Sequence, residues 1–555
     1  MSDLSRRKFL LGAGAMGAVA ATAGLVACTP QEQGEPAAPA QGGDVAAVGG
    51  EDLGGSIAVM TPIADADIAE TLEADVVIIG GGVSGSVAAA TAAESGKSVI
   101  VLQKAEVAVA NGAGAAAWNS KMQREGAVTG EMDPWEMVIE WTRQGENRAD
   151  LTLLKTWIYN SGPTMDWAMA LTQDVEGVGP VLGGGSADFT GRDFWTCDYP
   201  TVHMWLGQMG ALAQWLLDYS ETKGAQVLYS TPAVQIVRDN NNTGKVSGVI
   251  GLKEDGSYVK VNAASAVILA AGDYGNNQVL RAQYLPHAVG LPCAYMRPDI
   301  NKGDGQYMGM YVGGKMQLAP HSSNIHYDPP VAVPDVPDSG IPWLFVNKLG
   351  KRFSNEDMQY GQLYAQDMNQ PGLMHFQVFD DNFRTDYLDM GDGMMRGAFF
   401  GIQLGDAIDK AVEDGKVAKA DTIEALAAAI SVPADELKAT VDRYNELCDI
   451  GYDDDFGKQA KRLKPIKVAP FYAVTRQPGI LCTLNGIITN ADCQALDEDG
   501  QIIEGLYAVG NCQGNFFGGL EHQMIIPGMS LGRAMTTGRV AALLATGQEI
   551  AKGRY

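Results

Sequence analysis

The chain has 555 residues, about three times the length of a typical single domain, so two or more domains are expected. Apolar residues make up 46% of it, enough for a large buried core, and its 68 glycines follow no G-x-y period, so they signal tight turns and close backbone approaches rather than a fibre. The 40 basic and 66 acidic side chains leave a formal charge of −26, which repels phosphate backbones and excludes nucleic acid as a partner, while seven cysteines make no disulfide framework.

Residues 1–28 read as an address rather than as fold. Ser5-Arg6-Arg7-Lys8-Phe9-Leu10 is a twin-arginine (Tat) pattern, which marks bacterial export of proteins that fold first. The Ala/Gly-rich stretch from Leu10 to Ala27 is too weakly apolar for a membrane span, and no later segment has the length and apolarity for one. Leu25-Val26-Ala27-Cys28 resembles a lipoprotein cleavage box, which would make Cys28 a lipidated first residue holding the protein outside the cytoplasm at the cell membrane. Ordinary cleavage nearby, with Cys28 incidental, is the plainer alternative. Folding before export suits a protein that takes up its cofactor in the cytoplasm. Residues 29–69, rich in Ala, Gly, Pro, Gln and acids, read as a flexible tether.

The next segment carries the clearest chemistry. Asp75-Val76-Val77-Ile78-Ile79 reads as a short apolar strand. Gly80-Gly81-Gly82-Val83-Ser84-Gly85 follows as G-x-G-x-x-G, then a small, Ala-rich helix, a turn at Gly96-Lys97 and a second buried strand, Ser98-Val99-Ile100-Val101-Leu102. Together they form one βαβ unit of the dinucleotide-binding kind. Gly80 permits the tight turn, Gly82 lets backbone approach a pyrophosphate, and Gly85 lets the helix lie close to the strand. The acid expected at the end of the second strand to hold ribose hydroxyls is absent; Gln103 stands there, with Lys104 and Glu106 beyond it. Further on, Asp239-Asn240-Asn241-Asn242-Thr243-Gly244 reads as a hairpin turn between two strands.

Four later segments, in order, resemble the fumarate reductase and succinate dehydrogenase flavoprotein superfamily, to which 3-ketosteroid dehydrogenases are related. They are Ala266 to Asn277 (AVILAAGDYGNN), Val346 to Glu356 (VNKLGKRFSNE), Asn485-Gly486-Ile487 through Gly505-Leu506-Tyr507-Ala508-Val509-Gly510, and Pro527 to Ala534 (PGMSLGRA). The exported, tethered form is also similar to flavin reductases of anaerobic gut Actinobacteria, the group that contains cardiac glycoside reductase. The resemblance implies FAD as cofactor. It also implies an α/β architecture: a Rossmann-like FAD-binding domain over 70–288 and 466–555, with an inserted α+β capping domain over 289–465. By position, Gly80, Gly82 and Gly85 would hold the pyrophosphate, Gln103 the adenosine ribose and Ala233 the adenine through its backbone. Gly510 and Asn511, the latter replacing the family's usual glutamate, would meet the ribityl side, and Ser530 and Leu531 would offer amides to the flavin pyrimidine.

The same resemblance shows what is missing. Fumarate reductases clamp two carboxylates with cations and use an arginine acid. Here Tyr360 stands four residues past Glu356, and Ile525 lies where a substrate-binding arginine belongs. A less charged substrate follows, with Tyr360, His522 or His326 as proton donor; His321 is the other histidine in the stretch that holds His326. Phe194, Trp195, Trp343, Phe516 and Phe517 read either as a flat apolar pocket or as ordinary core. Cys482, Cys493 and Cys512 read as buried thiols, with no haem or ferredoxin spacing, and no metal site is assigned.

The expected reaction is reduction of an activated C=C bond: hydride passes from reduced flavin to the carbon β to an electron-withdrawing group, and the α carbon is protonated. The acceptor is a small organic molecule. With no haem domain on the chain, electrons come from a separate donor, a membrane cytochrome or quinol oxidase. Two other readings stay open: a 3-ketosteroid-type dehydrogenase running the chemistry backwards, and a non-catalytic flavoprotein that relays electrons.

Overall fold

A computed structural model describes residues 53–112, 114–125, 134–182, 186–188, 196–200, 202–293, 297–326, 341–358, 360–390, 404–520, 526 and 528–553. Strand β1 (Ile68–Ile79) is exposed along most of its first half, and its last four residues, Val76 to Ile79, are fully buried. Such an unbroken β-branched run is what a parallel strand covered on both faces needs. β1 pairs in parallel with strand Tyr258–Leu269 on one side and with strand β2 (Val99–Leu102) on the other. Among the described residues the principal sheet has eight strands and runs, in spatial order, Gln494–Leu496, Ile502–Ala508, Tyr258–Leu269, β1, β2 and Gln226–Leu228. Strands Ala233–Arg238 and Val246–Leu252 join it as an antiparallel pair against Tyr258–Leu269. The turn between those two is the asparagine run, where Asn240, Asn241 and Asn242 take φ of 52°, 53° and 66°; asparagine tolerates this left-handed region better than other side chains.

Helix α1 (Val83–Glu94) crosses from β1 to β2 with every residue from Val83 to Ala93 buried. It is hydrophobic all round because it is covered on both sides. Its small side chains let the C-terminal helix Met529–Ala545 lie against it: a Cβ on Gly538 would stand 2.3 Å from the Ser84 carbonyl oxygen. A mixed α/β architecture built on a parallel dinucleotide-binding sheet is therefore what the chain adopts.

A second, antiparallel sheet of four strands is ordered Leu344–Val346, His375–Asp380, Phe471–Arg476, Val417–Ala420. It packs on helices Ile423–Ala429 and Ala434–Ile450 around Val378, Leu426, Leu437 and Val441. Phe471–Arg476 thus pairs with strands from earlier in the chain, although it follows residue 465 in sequence.

The tether is expected to run to residue 69, yet the structure holds its last part against the principal sheet. Val59 N–H donates to the Val234 carbonyl at 2.8 Å, Ile63 N–H to Gln235 Oε1 at 3.1 Å, and Ala58 is buried in the main core. Apolar Ile57, Ala58, Val59 and Met60 supply the reason: a segment with that many apolar side chains gains by docking. The signal region and Cys28 lie outside the described residues. Among the described residues no helix is long and apolar enough to cross a membrane.

Candidate active site

A cleft opens at the carboxyl ends of β1 and strand Tyr258–Leu269, lined by Gly80, Gly82, Gln103, Ala233, Gly272 and Asp304 among others. This is the switch point of an α/β sheet, where the chain leaves the two neighbouring strands in opposite directions and a crevice results. Gly80 takes φ of 97°, and a Cβ there would meet the Ala270 carbonyl oxygen at 2.6 Å. A Cβ on Gly85 would stand 1.8 Å from the Gly80 carbonyl oxygen, so only glycine lets α1 begin this close to β1. Gly82 caps α1 without any side-chain hydrogen bond. The helix therefore keeps its first-turn amides, and the positive end of its dipole, for what lies in the cleft.

Gln103 borders the cleft, and both of its polar atoms are engaged. Its Oε1 accepts from Gly81 N–H at 2.9 Å and its Nε2 donates to the Val107 carbonyl at 2.6 Å. The side chain expected to hold ribose also braces the glycine loop. The acid bordering this end of the cleft is Asp304, which accepts from Ser56 Oγ at 2.7 Å and Ile57 N–H at 3.0 Å and pairs with Lys104 at 3.0 Å. Glu106 turns outward to Arg297, at 3.2 Å. Asp304 is 200 residues from Lys104, and no sequence spacing announces that meeting.

At the inner end, Gly510 abuts the start of α1: a Cβ there would lie 2.7 Å from Ser84 Oγ, and its N–H donates to Thr537 Oγ1 at 3.1 Å. Gln306 Nε2 donates to the carbonyls of Gly272, at 3.1 Å, and Asn511, at 3.3 Å, tying the loop at 510–511 to the cleft wall. Asn511 Oδ1 accepts from the guanidinium of Arg533. Ser530 and Leu531 are half-buried in the first turn of helix Met529–Ala545, whose cap, Gly528 at φ of 76°, makes no side-chain hydrogen bond. The uncapped start of α1 thus stands against Gly510, and the C-terminal helix, itself uncapped at Gly528, reaches Asn511 through Arg533.

The proposed proton donors are placed unevenly. Tyr360 opens helix Tyr360–Asp367, but its side chain, like all of His522 and Ile525, lies outside the described residues. His326 ends strand Ser323–His326, half-buried, opposite Gly479. His321 is fully buried and committed. Its Nε2 stands 2.8 Å from the Gln317 carbonyl, which can only accept, so Nε2 carries the proton and Nδ1 accepts from Tyr274 O–H at 2.7 Å. Its ring stacks on Tyr284 at 4.6 Å, and burial pushes its pKa down to about 4, so it stays neutral and serves structure. His287, which the sequence reading passed over, lies beside the Leu520 main chain with Arg148 nearby; burial lowers its pKa as well.

The family model described as "FAD binding domain" matches residues 75–523. The chain belongs to that family. The chain is 28% identical over 489 residues to the vinyl phenol reductase of Lactiplantibacillus plantarum, covering 84% of this chain and 94% of that one. It is 27% identical over 572 residues to the digoxin reductase of Eggerthella lenta, covering 93% of each. Among solved structures, the 3-ketosteroid-Δ4-(5α)-dehydrogenase from Rhodococcus jostii RHA1 superposes with a TM-score of 0.65 at 21% identity, covering 88% of this chain and all of that one. The flavoprotein is an FAD-dependent oxidoreductase, and its relatives work on carbon–carbon bonds.

The residues present fit FAD. The glycine cradle and uncapped α1 suit a pyrophosphate, and close by, behind the cleft wall at Gly272, the buried Oε1 of Gln306 has no partner among the described residues. Gly80, Gly82 and Gly272 would hold the pyrophosphate side and Pro232 and Ala233 the adenine side, all of them lining the cleft.

Other candidates separate. Phe516 and Phe517 pack on Trp141, at 5.6 Å and 5.4 Å between ring centroids, inside one buried cluster. Trp343 packs on Phe379 at 5.2 Å in another cluster, and Phe194 and Trp195 lie outside the described residues. The described aromatics are core, as hydrophobic rings with this burial usually are. Cys482, Cys493 and Cys512 are buried thiols outside any disulfide, and among the described residues no cluster of His, Cys, Asp or Glu is arranged to hold a metal. Glu356, in the segment that resembles the family's "NE" stretch, is fully buried and takes both Nε and Nη2 of Arg352 at 2.8 Å, with Lys458 at 3.4 Å. Arg352 also donates to Asp453, at 3.0 Å and 2.8 Å. This network fixes the segment that leads into helix Tyr360–Asp367.

Proposed function

We propose that this flavoprotein reduces an activated C=C bond of a weakly charged enone- or enoate-like molecule, drawing electrons from a separate donor. The observation that carries it is the pair of positions Tyr360 and Ile525, where fumarate reductases have arginines: no guanidinium stands at either to clamp a dicarboxylate. The neutral, fully engaged His321 is consistent with it, because this imidazole offers no positive charge of its own to an anion. FAD supplies hydride chemistry when bound. The chain's own part is to hold the cofactor in the glycine cleft and to deliver a proton, for which Tyr360 is the first candidate and His522 and His326 the others.

The proposal extends to location. The twin-arginine pattern and Cys28 support export of the folded holoprotein and a lipid anchor that keeps it near a membrane cytochrome or quinol-oxidising donor. The deciding experiment is anaerobic. The purified holoprotein is bleached with reduced viologen, and neutral enones, cinnamates and fumarate are added separately. Reoxidation by an enone with fumarate inert is expected. Rapid reoxidation by fumarate would overturn the substrate class, and desaturation of a ketosteroid with an artificial acceptor, with no enone reduced, would reverse the direction.

A further inference from the structure

Arg533 is the fifth residue of helix Met529–Ala545, at the start of its second turn, and its side chain is fully buried. Nη1 donates to the carbonyls of Leu484 and Gln513, at 3.0 Å and 3.4 Å, and Nη2 donates to Asn511 Oδ1, while Nε has no partner. The rings of Phe517 and Phe516 lie 4.9 Å and 5.5 Å from the guanidinium carbon. Among the described residues no carboxylate pairs with it; the titratable groups that face it are the thiols of Cys482, Cys493 and Cys512. Burial lowers its pKa only to about 10, so it remains a cation at neutral pH. A buried guanidinium held by neutral acceptors alone is costly, and structural arginines are normally paired.

Its position gives that cost a use. Asn511 is bridged through Gln306 to Gly272, and Gly272 lines the cofactor cleft. Arg533 is therefore joined to the cleft wall by three successive hydrogen bonds, through Asn511 and Gln306 to Gly272. Because Arg533 takes Asn511 Oδ1, the Asn511 amide is fixed with its Nδ2 donors directed elsewhere. Where the family's usual glutamate would bring negative charge, this site has an amide backed by a cation.

We propose that Arg533 is a positioning residue for FAD that orients Asn511 and, as an uncompensated buried cation, biases the flavin toward its reduced, more negatively charged form. A charge buried away from water is screened less than one in solvent, so its effect on a cofactor bound in the neighbouring cleft is larger than that of a surface arginine. The inference rests on FAD binding and is independent of the substrate.

The test is the midpoint potential of the bound flavin, measured without substrate by anaerobic titration against a reference dye on purified holoprotein. Arg533→Met is expected to lower the reduced-to-oxidised ratio at fixed solution potential at least about tenfold, which for a two-electron couple is about 30 mV. Arg533→Lys, which keeps the charge, is expected to retain most of the wild-type potential. Asn511→Asp, which gives the guanidinium a carboxylate partner, is expected to lower the potential with Arg533 in place. A wild-type potential in Arg533→Met sinks the proposal. If that variant does not fold, a wild-type potential in Asn511→Asp sinks it equally. Failure of every enone to reoxidise the flavin would overturn the substrate reading and leave this result intact.

Discussion

Gln103 at the end of β2 accepts a hydrogen bond from the Gly81 amide at 2.9 Å, and so the second strand of the βαβ unit holds the glycine loop at the end of the first. The side chain at the position expected to reach a ribose also builds the phosphate cradle. Gln103→Ala would leave a buried backbone N–H without a partner, a loss of about 1–3 kcal/mol. The expected result is FAD affinity weakened about tenfold or more, read by ultrafiltration of released flavin, with little change in the far-UV spectrum. Unchanged affinity would mean that the loop holds its shape without the brace.

Glu356→Gln breaks a fully buried ion-pair network that joins Arg352, Asp453 and Lys458. Removing one partner of such a network costs about 3–5 kcal/mol, because the remaining charges stay buried and underpaired. A lowered denaturation midpoint is expected in the apoprotein as well as the holoprotein, since the network lies away from the cofactor cleft. A midpoint within error of wild type would show the network to be neutral to stability.

His321 predicts a particular acid response. Its pKa is about 6.5 when unperturbed and about 4 in the folded protein, so the proton is bound more readily by the unfolded chain. Above about pH 6.5 neither state carries it. As pH falls from there toward 4 the unfolded state gains protons and the folded state does not, so stability declines through that window and this contribution levels off below it. Urea titrations of wild type and His321→Gln between pH 7 and pH 4 should show a shallower decline in the variant. Parallel curves would argue against the assignment.

Tyr360→Phe tests the proton donor. Removing a general acid is expected to lower turnover of an enone about 10²- to 10⁴-fold. Flavin content and midpoint potential should remain those of wild type, which separates loss of the proton from loss of the site. Full activity would move the role to His522 or His326.

Cys28→Ser tests the anchor. With the twin-arginine pattern intact, the variant is expected in the soluble extracytoplasmic fraction, and the wild type in the membrane fraction. Equal partition of both would remove lipidation from the proposal.

What could be read in the sequence was what short-range chemistry enforces. The strand–glycine–helix–strand unit is legible because β1 must be apolar on both faces, and because at Gly80 and Gly85 a Cβ would collide with neighbouring backbone at 2.6 Å and 1.8 Å. The asparagine hairpin is legible for the same kind of reason, since its residues sit at positive φ. These constraints act within a few residues of one another, so the local pattern carries them, and the ordered family segments carried the cofactor with them.

The tertiary structure decided how polar atoms are spent. Gln103 stands at the expected ribose position, and the fold adds bonds from it to Gly81 and Val107 that no local pattern announces. Asp304 comes to Lys104 from 200 residues away, and the supposed tether returns at Ser56 to bind it. His321 is held by Tyr274 and Gln317, and Trp343 packs far from Phe516 in a different core. Arg533 read as one arginine in a helix until the fold brought Leu484, Asn511 and Gln513 around it. A hydrogen bond depends on distance and direction in space, and residues hundreds of positions apart meet only when the chain has folded.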